Sequence, residues 1–521
     1  MSPKSHTRAI RGKMALAVLA TVGVVSGGLA IGSRNDAPPP VGGNLGNLWV
    51  IASDSPNGTC TRNATPETLA AAQAANRQCN PNDDVTDGVF DIAYTNAANS
   101  GDTVCVAAGS YGLQNVKFHS GKTTPATVIE GCEGTDPTVL SVIVGQSNGS
   151  TQPHAVTFKD MAITGSACNQ AVFVYYGSNG ASKVADQATD ITFDNVKIAV
   201  GKPTCGPVVE IFSSLRVSII NSIIGPACCG NQADGVTTNN SPVGIRFGAD
   251  TANSYPVNTD PVIRNNLIQG ITRNCLDWLT GYGSCPQSTC INTNEACHAD
   301  AIQIWGTQNL VVDRNRIYHN EINGLFLDST AMMTDGTVSN NMIGDIIRGA
   351  TCFDVDGRGI RGVWNIINNT CTIAGGDGYN IAWAKDDPDG IGPGQSMEQG
   401  GADWNWKGNI GSIHIAAGVT PTSCDAGTTG VFTFSYNTWS TDNGGHTGCG
   451  GNETIGDPTF VNAALAPANT MNLALSGAAG VADNKIPTAT CSGFVTTDID
   501  LVTRPQNSGF CDAGAWERLQ P

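Results

Sequence analysis

His298-Ala299-Asp300-Ala301-Ile302-Gln303-Ile304-Trp305-Gly306, followed at 310–320 by LVVDRNRIYHN, is the stretch that decides the fold. It reads as two short strands joined by a Gly-Thr-Gln-Asn turn. Ile302 and Ile304 alternate with Gln303 and Trp305, so one pair faces a core and the other a surface. The same sentence recurs at 155–165 (AVTFKDMAITG), 189–200 (TDITFDNVKIAV), 215–225 (LRVSIINSIIG), 260–270 (DPVIRNNLIQG) and 335–345 (DGTVSNNMIGD). Each copy carries Asn or Asp and then an isoleucine: Ile163, Ile198, Ile224, Ile268, Ile317 and Ile343.

The spacings between those isoleucines are 35, 26, 44, 49 and 26 residues. A base period near 26 with insertions predicts a parallel β-helix, with three short strands per coil and corner loops of variable length. A second ladder runs in phase with the first: AVFVYY (171–176), VVEIF (208–212), VGIRF (243–247), DAIQIW (300–305), NGLFLD (323–328), CFDVD (352–356) and DGYNIAW (377–383). The corner asparagines predict an internal stack, since Asn tolerates a left-handed turn and its amide can bond to the next rung.

Composition agrees with this reading. Gly is abundant (63), charged residues are sparse (14%) and long helical periodicities are missing, which favours an all-β chain with many turns. A solenoid also lets 521 residues form one unit rather than several globules. The net charge of −17, with no basic block beyond the first residues, argues against nucleic acid as a partner. Eighteen cysteines without a CxxC pair point to disulfides in an oxidising compartment, hence a secreted or cell-surface protein. The expected clips are Cys60–Cys79, Cys352–Cys371, Cys424–Cys449 and Cys491–Cys511.

Residues 1–31 read as an export signal: Lys4, Arg8, Arg11 and Lys13 precede an apolar run at 14–31, and Gly28-Leu29-Ala30 suits cleavage. The alternative is an uncleaved N-terminal anchor. Residues 32–46 are a linker containing Pro38-Pro39-Pro40, and 47–135 form an N-terminal cap with the first coils. There PETLAAAQAAN (66–76) and DIAYTNAA (91–98) predict short helices that cover the open end of the stack. The β-helix itself occupies 136–455, with DWNWKGNIGSI (403–413) and VFTFSYNTWS (431–440) as late coils. Residues 456–521 form a C-terminal cap segment.

Alignment of the second ladder on Ile302 puts Val172, Val209, Ile245, Leu325 and Phe353 inside. The first outward column is then Phe173, Glu210, Arg246, Gln303, Phe326 and Asp354, and the next is Tyr175, Phe212, Gly248, Trp305, Asp328 and Asp356. Rungs lie about 4.8 Å apart, so a sugar covers one to two of them. Aromatics followed along the axis by carboxylates make a strip that can stack a polymer and act on it.

With the opening SGDTVCVAAGSY, the ladder of apolar-x-x-Asn-Asn-x-Ile coils and the closing DID…RP…DAGAWE, the chain resembles the secreted right-handed parallel β-helix proteins of the pectate-lyase-like superfamily over roughly 85–515. That resemblance implies the fold. It leaves open polysaccharide lyases, glycoside hydrolases, epimerases, esterases and non-catalytic adhesins.

Two chemistries fit the strip. In a lyase, Asp328, Asp354 and Asp356 would hold Ca²⁺ against a uronate carboxylate, and Arg246, Arg358 or Lys385 would take the acidified α-proton. The resemblance implies a precedent for an arginine base. In a hydrolase, Asp300 with Asp328 or Asp354 would supply acid and base, tuned by His298 or His319. Trp305, Gln303, Phe326, Tyr175 and Phe212 would bind the polysaccharide. Against these roles, Asp300 and Asp356 sit where an aspartate caps a corner, and His298 adjoins Cys297 under a stapled loop at 271–297. The leading function is an extracellular polysaccharide-degrading enzyme working as a monomer, with a lyase slightly ahead of a hydrolase; a non-catalytic glycan-binding or cell-surface β-helix is the alternative.

Overall fold

The computed structural model describes residues 45–52, 58–81, 87–97, 101–132, 134, 136–145, 151–165, 170–175, 187–199, 207–228, 243–248, 256–272, 299–320, 323–328, 333–346, 352–356, 360–373, 381–383, 402–414, 432–442, 450–455, 460–462, 472–475, 482, 486–487, 496–504 and 510–515. The expected signal and linker, His298, Arg358, Lys385, most of the loop at 271–297, Cys424, Cys449 and Cys491 lie outside them. Among the described residues no helix is long and apolar enough to cross a membrane.

The fold is a parallel β-helix. Its strands stack into one sheet of 14 strands, running from Leu48–Val50 to Gly450–Gly451, and one of 19 that carries two ladders. The anchoring isoleucines fall in one column: Ile163 pairs with Ile198, then Ile224, Ile268, Ile317 and Ile343 in turn. All six are at most 1% exposed, so the period read from the sequence is the period of the coil. The late coils form as expected. Ala402–Lys407 pairs with Ile360–Ile367 and Phe432–Ser435, which aligns the buried Trp364, Trp404, Trp406 and Phe434 along the core.

Two consecutive corner positions divide the work, both of them asparagine at 265–266, 340–341 and 368–369. The first takes the left-handed turn, as at Asn221, Asn265, Asn340 and Asn368, all with φ of 53–55°. The second points inward and joins a buried amide ladder: Asn266, Asn315, Asn341, Asn369, Asn409 and Asn437 each donate Nδ2 to the next Oδ1 at 2.8–3.0 Å, ending on Glu453. Each amide also donates to a backbone carbonyl, such as that of Val312 for Asn341, so a row of polar side chains sits in the core without unmet donors.

Of the two short helices expected to cover the open end, Val89–Asn96 packs into the core, whereas Leu69–Ala74 lies on the outer face of the first rungs, with Ala72 in a cluster with Trp49, Ile51 and Cys105. Leu69–Ala74 is capped by Thr68, whose Oγ1 accepts from the Ala71 N–H. Val89–Asn96 lays Val89, Phe90, Ala93 and Tyr94 against the strands Ser110–Val116 and Thr127–Gly131, and Gln114 Oε1 accepts from the Phe90 N–H at its start. Disulfides Cys60–Cys79 and Cys352–Cys371 are present as expected, and Cys105–Cys132 is an additional one. Cys511 is also disulfide-bonded.

Candidate functional site on the second ladder

Inside the second ladder, Val172, Val209, Ile245, Ile302, Leu325 and Phe353 are 0–2% exposed and lie on successive rungs. With that column turned inward, the alternate residues must face outward. The register places Phe173, Glu210, Arg246, Gln303, Phe326 and Asp354 on successive rungs, as the sequence alignment has them. The neighbouring column runs through Phe212 and Gly248, and Asp328 pairs with Asp356. Trp305 follows Ile304, and its N–H donates to the Phe247 carbonyl on the rung before.

At the aromatic end the side chains interlock. Phe173 meets Tyr175 edge to face at 4.3 Å and Phe212 at 5.9 Å. The Phe212 ring lies over Gly248, where a Cβ would stand 2.3 Å from it, so only glycine leaves room. Arg246 carries its guanidinium 4.3 Å from the Trp305 ring centroid and 6.0 Å from that of Phe212. The same guanidinium pairs with Glu210, a carboxylate 2% exposed whose other oxygen accepts from Gln170 at 2.6 Å. Two donors here are shielded and have no acceptor among the described residues: Trp305 Nε1 and Arg246 Nε.

At the other end, Asp354 is half-buried on the strip, two rungs beyond Gln303, and takes part in an interaction of its own. The backbones of Asp328 and Asp356 lie side by side in their strands, whereas their side chains are outside the described part. Among the described residues no group of three His, Cys, Asp or Glu is arranged to hold a metal.

Several expected partners are not brought together. Asp300 is fully buried at the corner before Ile302, with its carbonyl accepting from the Gly244 N–H at 3.0 Å. It therefore stands off the outward columns. Arg246 is three rungs from Asp354, about 14 Å at strand spacing, and is already held by Glu210. The expected pairings of Asp300 with Asp354 and of Arg246 with Asp354 are thus not brought together. His319 is 4% exposed on the other ladder of the same sheet, within Arg316–Asn320. Gln303 faces outward but is only 5% exposed between the Arg246 and Phe326 rungs. Glu210 and Gln170 were not anticipated as partners of the strip; the signal for Glu210 was an opposite charge directly beside Arg246 in the aligned column.

No family model matches the sequence, and no curated protein matches it. Among solved structures the chain is similar to the pectate lyase Pel9A, at 13% identity over 91% of this chain and 98% of that one, with a TM-score of 0.47. It is also similar to PfbA, a surface adhesin of Streptococcus pneumoniae, at 12% identity over 66% and 72%, TM-score 0.35. An alginate lyase from Paenibacillus sp. matches at 14% identity over 71% and 95%, TM-score 0.32.

Proposed function

We propose that this chain is an extracellular protein that lays a polysaccharide along its outward columns and degrades it, with β-elimination on a uronate-containing glycan favoured over glycoside hydrolysis. One observation carries the reading: rings at Phe173, Tyr175, Phe212, Trp305 and Phe326 precede the aspartate register of Asp328, Asp354 and Asp356 along a single flank. A linear row of ring faces suits a linear polymer. The disulfides support an oxidising compartment, and nothing in the reading requires more than a monomer.

Asp328, Asp354 and Asp356 are the residues that would hold a calcium ion. They offer hard oxygen donors on adjacent positions of two neighbouring rungs, the donor chemistry calcium prefers. When bound, the ion supplies Lewis acidity toward a uronate carboxylate. The rings orient the sugar chain, and Arg358 is the candidate base. Arg246, tied to Glu210 and flanked by two rings, is an anchor in this scheme. Asp300, without exposed surface, shapes its corner. That engagement of Arg246 also favours a second reading, in which the strip binds a glycan and performs no reaction.

The test is ultraviolet absorbance of unsaturated product on pectate, alginate and chondroitin, with and without chelator. Chelator-sensitive absorbance supports elimination. New reducing ends without absorbance would transfer the reading to hydrolysis, and retention on a glycan column without either would leave the binding reading. Absence of all three on every polymer refutes the proposal.

A further inference from the structure

The electrostatics of the aromatic end identify what sort of sugar it takes. Arg246 is the cation described on these two columns, and its charge is already met by the buried carboxylate of Glu210. Gln170 occupies the second oxygen of that carboxylate, so the pair is closed and neutral as a unit. Around it stand Phe212 and Trp305, and beyond them Phe173 and Tyr175. An anionic sugar placed here would bring a second negative charge beside Glu210 with one guanidinium to share. An uncharged sugar meets none of that cost. Its C–H face suits a ring.

We infer that the Phe212–Arg246–Trp305 cluster is a subsite for an uncharged sugar residue, three rungs from Asp354. The inference rests on the proposed function and narrows it. The substrate is a mixed glycan, with a neutral sugar at the aromatic end and an acidic one about 14 Å away at the aspartate end. A homopolymer of uronates fits the aspartate end alone. Gly248 belongs to the subsite as the seat of the Phe212 ring.

The experiment is native affinity electrophoresis of the full chain in gels containing one of three probes: polygalacturonate, hydroxyethylcellulose, or the alternating rhamnogalacturonan backbone, each with calcium. Trp305→Ala and Trp305→Phe are compared with the wild type after circular dichroism confirms that they fold. Trp305→Ala is expected to weaken retardation by the neutral and alternating polymers about tenfold, the scale of one ring contact. Trp305→Phe keeps a smaller ring and should fall between. Retardation by polygalacturonate should weaken less in either variant than retardation by the other two polymers. Equal retardation of wild type and Trp305→Ala by the neutral and alternating polymers overturns the subsite, as does a Trp305-dependent loss on polygalacturonate as large as that on the neutral polymer. If the wild type is retarded by none of the probes and yields no product from any polymer, the broader function has failed. If it still cleaves or binds polygalacturonate, only the neutral subsite has failed.

Discussion

Replacing Asn341 by alanine tests whether the buried amide ladder holds the coils in register. Asn341 Oδ1 accepts from the backbone N–H and from Nδ2 of Asn315, both at 2.9 Å. Its Nδ2 donates to the Val312 carbonyl and to Asn369 Oδ1, both at 2.9 Å. In the alanine variant the Asn315 N–H is buried without an acceptor, at about 1–3 kcal/mol. The remaining three bonds have other partners or alternatives, and together with the small cavity they raise the cost to about 3–5 kcal/mol. Asn221→Ala is the control: it occupies a left-handed corner, with φ of 55°, and its amide donates to Asp194 at 2.6 Å. Its loss is expected at about 1–2 kcal/mol. Urea unfolding followed by circular dichroism reads both. If Asn341→Ala costs no more than Asn221→Ala, the inner ladder is a by-product of the coil and the reasoning fails.

Three further outcomes are expected. Removing the Cys352–Cys371 bridge, which spans 19 residues, should destabilise the chain by about 3 kcal/mol in unfolding experiments under oxidising conditions, and the same substitutions should have no effect in reductant. Burial holds the His154 imidazole below its usual range, with Asp190 opposing and Arg216 adding to the shift. The unfolded chain therefore takes up this proton first as pH falls below about 6.5. That contribution is present above the unfolded value and lost on acidification, so His154→Gln should show a shallower fall in melting temperature between roughly pH 6.5 and 5 than the wild type. Asp354→Asn should raise the calcium concentration needed for product formation by more than about tenfold, read by titrating calcium into the absorbance assay; an unchanged titration removes Asp354 from the acidic end.

Much of this was legible in the chain because a parallel coil makes position periodic. Ile302 and its counterparts fixed which residues face inward, and parity then placed Arg246, Phe326 and Asp354 outward on the rungs they occupy. Parity holds only within a strand, and this is why Asp300 escaped it: two residues before Ile302 the chain turns a corner, and the carboxylate ends fully buried. Cys105–Cys132 was missed for a different reason. Its separation of 27 residues is about one coil, so the partners come together through the stack, whereas proximity in sequence favoured shorter clips. The closure of Arg246 by Glu210 follows from opposite charges on adjacent rungs, but the role of Gln170 depends on where a corner places its side chain.

The same periodicity explains why the strip depends on the core beneath it. Side chains alternate with a period of two, so a slip of one residue at the Ile302–Ile304 strand would turn Gln303 inward and Ile302 and Ile304 toward solvent. The inward column Ile245, Ile302, Leu325 and Phe353 opposes that slip through burial, and the Asn266–Asn437 amides oppose it through hydrogen bonds that close in only one register. Outward positions carry no such duty. Phe212, Arg246, Trp305, Phe326 and Asp354 are therefore free to differ from rung to rung while each is held in a fixed direction, and a row of unlike groups at a common spacing is the arrangement a polymer of unlike sugars would require.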